Sequence, residues 1–162
     1  MFVCLLVVER RLVVVLDCSE PSEYAKAAPG RGSHMPAKHP YAVPCLRPFT
    51  PDENHLLNYV VRREHPARLH ELDGLMVIGR CGCQQCPTIL LGRGIQVLPT
   101  SPCYDITHVV YMGENPQGVI VAIALLERFG QFSELEAWSF GGDAVRSWPR
   151  PEALVPAANF LL

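Results

Sequence analysis

GVIVAIALLERFGQFSELEAWSF, residues 118–140, decides how this chain folds. Residues 119–125 are apolar at every position. A strand with one wet face alternates apolar and polar side chains, whereas a strand covered on both faces runs continuously apolar. The run therefore predicts a central strand with cover above and below. Residues 135–140 behave differently. Leu135 and Ala137 share one face, while Glu136, Trp138 and Phe140 share the other, as the period of two sets them. That second face reads as partly exposed, and residues 128–133 (RFGQFS) read as the connection between the two strands.

Upstream, residues 108–112 predict a further strand, separated from the central one by GENPQG at 113–118. Both connections are short, which favours antiparallel neighbours in a meander. Residues 75–78 and 88–91 are short apolar runs that can pair as a hairpin, and residues 95–98 suggest a weaker third strand. Before them, Thr50-Pro51-Asp52-Glu53 is a helix start: Thr50 caps, Pro51 suits the first helical position, and Glu53 completes a capping box. Leu56, Leu57, Val60 and Val61 recur at helical spacing, and His65-Pro66 ends the helix. A second short helix runs through Leu69 and Leu72 to Asp73-Gly74. The fold class that follows is α+β: one or two N-terminal helices packed on an antiparallel β-meander sheet, with helix 51–64 covering one face.

The chain has 162 residues, 49% of them hydrophobic, enough for one domain with its own core. That domain is expected at 41–151, with 152–162 as a tail and 1–40 as an extension or linker. Within the extension, residues 2–8 and 12–16 read as two Val-rich strands split by Glu9-Arg10-Arg11. Neither run approaches the ~20 residues of a membrane-spanning helix. The charge falls between them, where a signal peptide would carry it in front. Residues 21–40 are rich in Pro, Gly, Ser, Ala and Lys and read as a linker. Gly32-Ser33-His34-Met35 has the form of a cleavage scar ahead of a start methionine, so residues before Met35 read either as part of the mature chain or as an extension of the reading frame.

The formal net charge is -2, and no basic run is longer than Arg62-Arg63. Neither nucleic acid nor a membrane surface is therefore an expected partner. The cysteine count is seven, an odd number crowded at 81–86, which is not the spread of a disulfide framework. Reduced thiols and a cytoplasmic location are the expectation.

Three of those cysteines stand in RCGCQQCPTILL, residues 80–91. The reading that asks least of them is small packing residues in a tight turn. The second reading is zinc. Zinc takes four tetrahedral ligands, commonly thiolates and imidazoles, and Cys83-Gln84-Gln85-Cys86 has the spacing of half such a site. Cys81 would be a third ligand and Cys103 the fourth, with His108 or His70 as alternatives. The third reading, a redox dithiol at Cys83 and Cys86, lacks the helix that lowers a thiol pKa in such motifs, since Pro87-Thr88-Ile89-Leu90 reads as a strand.

Other chemistry-bearing residues have bland readings. His55 and His65 belong with the helix surface, Asp105 with a turn, and a Cys103–His108 nucleophile pair has nothing to orient the imidazole. Glu134 and Glu136 share a strand face and read as a solvated edge. Gly92-Arg93-Gly94 lacks the rest of a dinucleotide fingerprint, and there is no phosphate loop, nucleophile elbow or zinc-protease helix. A non-catalytic binding or interaction module is thus expected ahead of an enzyme. Its protein partner would meet the exposed side of 135–140, at Glu136 and Trp138.

FTPDENHLL (49–57), GRCGCQQCPTI (79–89), the stretch 118–142 and WPRPEAL (148–154) together resemble a group of small uncharacterised bacterial proteins, a domain of unknown function. The resemblance spans about 46–154. It implies a helix followed by an antiparallel meander, and no activity. An immunity or antitoxin-like role would follow by analogy only. The Gln84-Gln85 pair departs from the group's pattern, in which the cysteines lie closer together.

Overall fold

The structure is a computed structural model that describes residues 3–8, 11–16, 40–102 and 106–157, with side chains described for 40–102 and 110–157. Two strands, β1 (Val3–Val8) and β2 (Arg11–Leu16), pair antiparallel, as the two Val-rich runs predict. Strand β3 (Ala42–Arg47) follows, and then helix α1 (Pro51–Glu64).

The helix starts where its capping chemistry places it. Thr50 Oγ1 accepts from the Glu53 backbone N–H at 3.3 Å, and the Thr50 N–H donates to Glu53 Oε2 at 2.8 Å. Arg47 adds a fork, donating to the two Glu53 oxygens at 2.7 and 2.8 Å. Burial works against the Glu53 charge, but Arg47 and the Thr50 N–H outweigh it and hold the carboxyl below its usual range. The buried face of α1 is Leu56, Leu57, Val60 and Val61, the predicted stripe.

The predicted second helix is a 3₁₀ helix, Pro66–Leu72. Seven residues between a proline and Gly74 (φ 73°) leave little room for α-helical propagation. Arg68 also ties its turns with three-residue spacing, donating to Glu71 at 2.6 and 2.9 Å, and it reaches across to Glu127 at 2.6 Å.

Six further strands follow among the described residues: β4 (Met76–Cys81), β5 (Ile89–Gly92), β6 (Ile106–Glu114), β7 (Ile120–Arg128), β8 (Gln131–Trp138) and the two-residue β9 (Val155–Pro156). The main sheet has seven strands in the order β3-β4-β5-β8-β7-β6-β9, with every neighbour antiparallel. It consists of two meanders, β3-β4-β5 and β6-β7-β8. They are joined where Ile89 faces Leu135 and Leu90 faces Glu134. The α+β class and the antiparallel meander are as expected. The middle of the order falls on β8, with β7 beside it.

Residues 95–98 do not form the weak strand that their apolar character suggests. Both edges of β5 are taken, by β4 and β8. Ile95 and Val97 instead stand 92% and 98% exposed. Residues 151–157 bring Leu154 into the core and pair β9 with Tyr111 and Met112.

Strand β7 alternates between two buried faces. Val121, Ile123 and Leu125 join the α1 stripe, Val77, Ile89, Leu91, Tyr111 and Leu135 in one core. Ala122, Ala124 and Leu126 face the other way with Val110, Met112 and Ala157. This is why residues 121–126 carry no polar side chain.

Strand β8 begins four residues earlier than the alternation from Leu135 suggests. The connection is only Phe129-Gly130, both at positive φ (52° and 73°), with Arg128 opposite Gln131. Two left-handed residues make a type I′ hairpin, whose twist suits paired strands. Phenylalanine is an uncommon occupant: a left-handed conformation costs an L-residue ~1–2 kcal/mol. Phe129 is 80% exposed, with the Arg128 guanidinium 5.0 Å from its ring centroid. Phe129→Asn is expected to raise the unfolding free energy by about 0.5–1 kcal/mol, and Phe129→Val to lower it. Urea denaturation compares the three, and an asparagine variant less stable than the parent would refute this account of the turn.

Candidate metal centre

The cysteine turn closes the β4–β5 hairpin. Strand pairing carries the chain to Arg80 opposite Ile89. The Cys81 N–H then donates to Thr88 O at 3.2 Å, and the Gln84 N–H donates to Cys81 O at 2.9 Å. The left-handed residue of this turn is Gln84 (φ 56°), not a glycine. Gly82 has a different task. Its N–H donates to Tyr41 O at 2.8 Å, and a Cβ there would lie 1.5 Å from Pro40 O. Only glycine lets the turn sit this tightly against the start of β3. On the far side, Thr88 Oγ1 accepts from the Ala137 N–H at 3.0 Å. The turn is therefore fastened to β3 on one side and to β8 on the other.

This fastening gathers the sulfurs. The Sγ atoms of Cys81, Cys83 and Cys86 all lie within 4.8 Å of one another, and those of Cys83 and Cys86 are hydrogen-bonded at 3.2 Å. A tetrahedral zinc with Zn–S near 2.3 Å separates its thiolates by roughly 3.8 Å, so the observed spacing brackets what one ion needs. The backbone N–H groups of Gln85 and Cys86 point at Cys83 Sγ, at 3.5 and 3.3 Å. Both are oriented donors to a sulfur that carries charge once deprotonated.

The three thiols differ electrostatically. Burial pushes the Cys83 thiol up, but the N–H groups of Cys86 and Gln85 outweigh it and bring the thiol down to about 7. Burial is also the main cause for Cys81, pushed up to about 12, and for Cys86, where burial and the Cys83 thiol outweigh the hydroxyl and backbone N–H of Thr88 and raise the thiol. One thiolate near neutral pH beside two held thiols is a cluster that a divalent cation would discharge, releasing the remaining protons.

Three of the four expected ligands are thus brought together. Cys103 lies outside the described residues. The strand it precedes begins at Ile106, level with Glu127. The backbone of His108 sits in β6, and two strands separate β6 from β5, so the two strands are roughly 14 Å apart. His70 is exposed, with Nδ1 3.0 Å from Ala67 O, and does not join the thiol group. His55 faces Glu152 at 3.4 Å, and Cys45, half-buried on β3, also stays outside the group. Among the described residues, the three cysteines are the only such cluster of potential ligands.

Glu136 and Trp138 lie where alternation puts them, on the face opposite α1, but both are half-buried. Trp138 is level with Ala122, packs against the second core and meets Phe140 edge-on with centroids 6.2 Å apart. Burial pushes the Glu136 carboxyl up. Glu134 corrects the expectation of a solvated pair: it is 3% exposed and accepts from the Tyr41 hydroxyl at 2.6 Å. Alternation alone sets one apolar face against water. In the fold, Leu126 stands level with Glu134, Ala124 with Glu136, and β3 brings Tyr41 over the strand.

A cavity of about 560 Å³ lies between β3 and the segment 94–100. Pro40, Tyr41, Pro44, Leu46, Ile78 and Leu98 give it an apolar wall, and none of the thiols lines it. No helix among the described residues is long and apolar enough to cross a membrane.

The backbone contacts that organise the thiols had no local signal. Gly82 against Pro40 joins residues more than forty positions apart. The two N–H donors depend on Gln84 adopting a conformation that glutamine rarely takes. Comparison with family models, with curated proteins and with solved structures finds no match for this chain.

Proposed function

We propose that this chain is a small non-catalytic binding module whose Cys81, Cys83 and Cys86 turn holds a zinc ion. The carrying observation is the sulfur cluster, with its three Sγ atoms inside 4.8 Å and two backbone N–H groups trained on Cys83. Borderline-soft zinc suits an all-sulfur donor set, which hard cations such as magnesium and calcium avoid. The ion fits a structural task. It would join the ends of β4 and β5 and lock the turn against β3 and β8, beside the strand that carries Glu136 and Trp138. The fourth coordination position is left to a water, to Cys103 or to a group on a protein partner bound at that end of the sheet. No histidine or carboxylate joins the sulfur group among the described residues. That favours binding over hydrolysis.

Metal analysis tests the proposal. Full-length chain purified without chelator and dialysed is expected to hold one zinc per molecule, and Cys83→Ser to hold none. Substoichiometric zinc in the parent, unchanged by the substitution, would reject it.

A further inference from the structure

We propose that Cys83 and Cys86 are an oxidation site for hydroperoxides, closing to a disulfide that strips the turn of two of its three sulfurs. The metal-release half of this rests on the zinc reading above; the oxidation half does not.

Geometry selects the pair. Their Sγ atoms are 3.2 Å apart, so closing to the ~2.05 Å of a disulfide asks for a shift of little more than 1 Å. Cys81 and Cys83 are separated by Gly82 alone, a spacing that rarely bridges without strain, and Cys81 is held back by its N–H bond to Thr88 O. Cys45 lies outside the cluster. Gln84 and Gln85, which separate the pair, are both exposed, so a small oxidant reaches the turn from solvent. The N–H groups of Gln85 and Cys86 face Cys83 Sγ at 3.5 and 3.3 Å. A sulfur held 3.2 Å from a second cysteine in a turn that solvent reaches is the geometry of a redox-responsive thiol pair.

The chemistry balances. The Cys83 thiolate attacks the terminal oxygen of a hydroperoxide. The S–O bond forms as the O–O bond breaks, and the alkoxide leaves and takes up a proton as an alcohol. Cys83 is then a sulfenic acid. The Cys86 sulfur attacks the Cys83 sulfur, the S–S bond forms as the S–O bond breaks, and hydroxide leaves with the Cys86 proton as water. The sulfur pair has lost two electrons, and the peroxide has become alcohol and water. A zinc ion left with Cys81 alone loses most of its affinity.

The test treats full-length chain, both metal-free and zinc-loaded, with stoichiometric tert-butyl hydroperoxide. Peptide mass mapping locates the product, and a chromogenic chelator reads released zinc. The expected product is an intramolecular Cys83–Cys86 disulfide, lighter by two hydrogens and reversed by a dithiol. It still forms in Cys81→Ser and Cys45→Ser, and one zinc is released per disulfide. A bridge between other cysteines, or intact thiols after treatment of the metal-free chain, would overturn the proposal. Zinc bound but retained through peroxide with both thiols reduced would also overturn it. A Cys83–Cys86 disulfide in a chain that never bound zinc supports the oxidation site and rejects the metal reading, so the two stand or fall separately.

Discussion

Leu125→Ala lowers the free energy of unfolding by about 3–4 kcal/mol, a large share of what a domain of this size has to lose. Leu125 is 0% exposed, at the centre of β7. It faces the core built from Leu56, Leu57, Val60 and Val61 of α1 and stands level with Leu135 of β8. Deleting three carbons there removes their transfer free energy and leaves a cavity. Strand neighbours on both sides and the helix above cannot collapse into it. Urea denaturation followed by far-UV circular dichroism measures the change, with the denaturant slope expected to stay constant. Ile120→Ala, at the partly exposed start of the same strand, is the contrast and is expected to cost about 1 kcal/mol or less. Equal effects at the two positions would mean that the helix does not cover β7.

The second large effect belongs to the metal proposal. Zinc at a thousandfold excess over its dissociation constant adds about 4 kcal/mol to the native state, a rise in Tm of roughly 10 °C or more for a domain of this length. Cys86→Ser is expected to abolish that rise, and Cys45→Ser, outside the cluster, to preserve it. The pH dependence has a definite sign. Zinc competes with protons for sulfurs of which Cys81 is held at about 12 and Cys86 is also raised, so binding releases protons. The zinc-dependent part of the stability therefore shrinks as pH falls and grows as pH rises. Differential scanning calorimetry with and without a chelator, at two pH values, reads both effects. A Tm indifferent to zinc and to chelator would remove the structural role.

What the sequence disclosed, it disclosed locally. Thr50, Pro51 and Glu53 announce the helix because capping is decided within four residues. Residues 119–125 announce a doubly covered strand because no polar side chain interrupts them. The first residues of β8 stayed hidden because its turn is made by Phe129, a residue that does not advertise positive φ. Residues 95–98 look like a strand, but both edges of the preceding strand β5 are taken. The second edge is lost only through the β5–β8 pairing, which links segments more than forty residues apart. The burial of Glu134 has the same origin, since Tyr41 reaches it from the other end of the domain. The three sulfurs of the candidate site were visible as a spacing. Their donors and their anchorage against Pro40 and Ala137 were not, because those contacts belong to the tertiary fold.

Residue-by-residue alkylation reads the metal proposal most directly. Full-length chain is treated with iodoacetamide at neutral pH, with and without one equivalent of zinc, and the labelled peptides are counted by mass. The expected result is joint protection of Cys81, Cys83 and Cys86 by zinc, with Cys45 labelled at the same rate in both samples. Unchanged labelling of all four, or protection of Cys83 alone, would show that the turn does not hold the ion with three sulfurs.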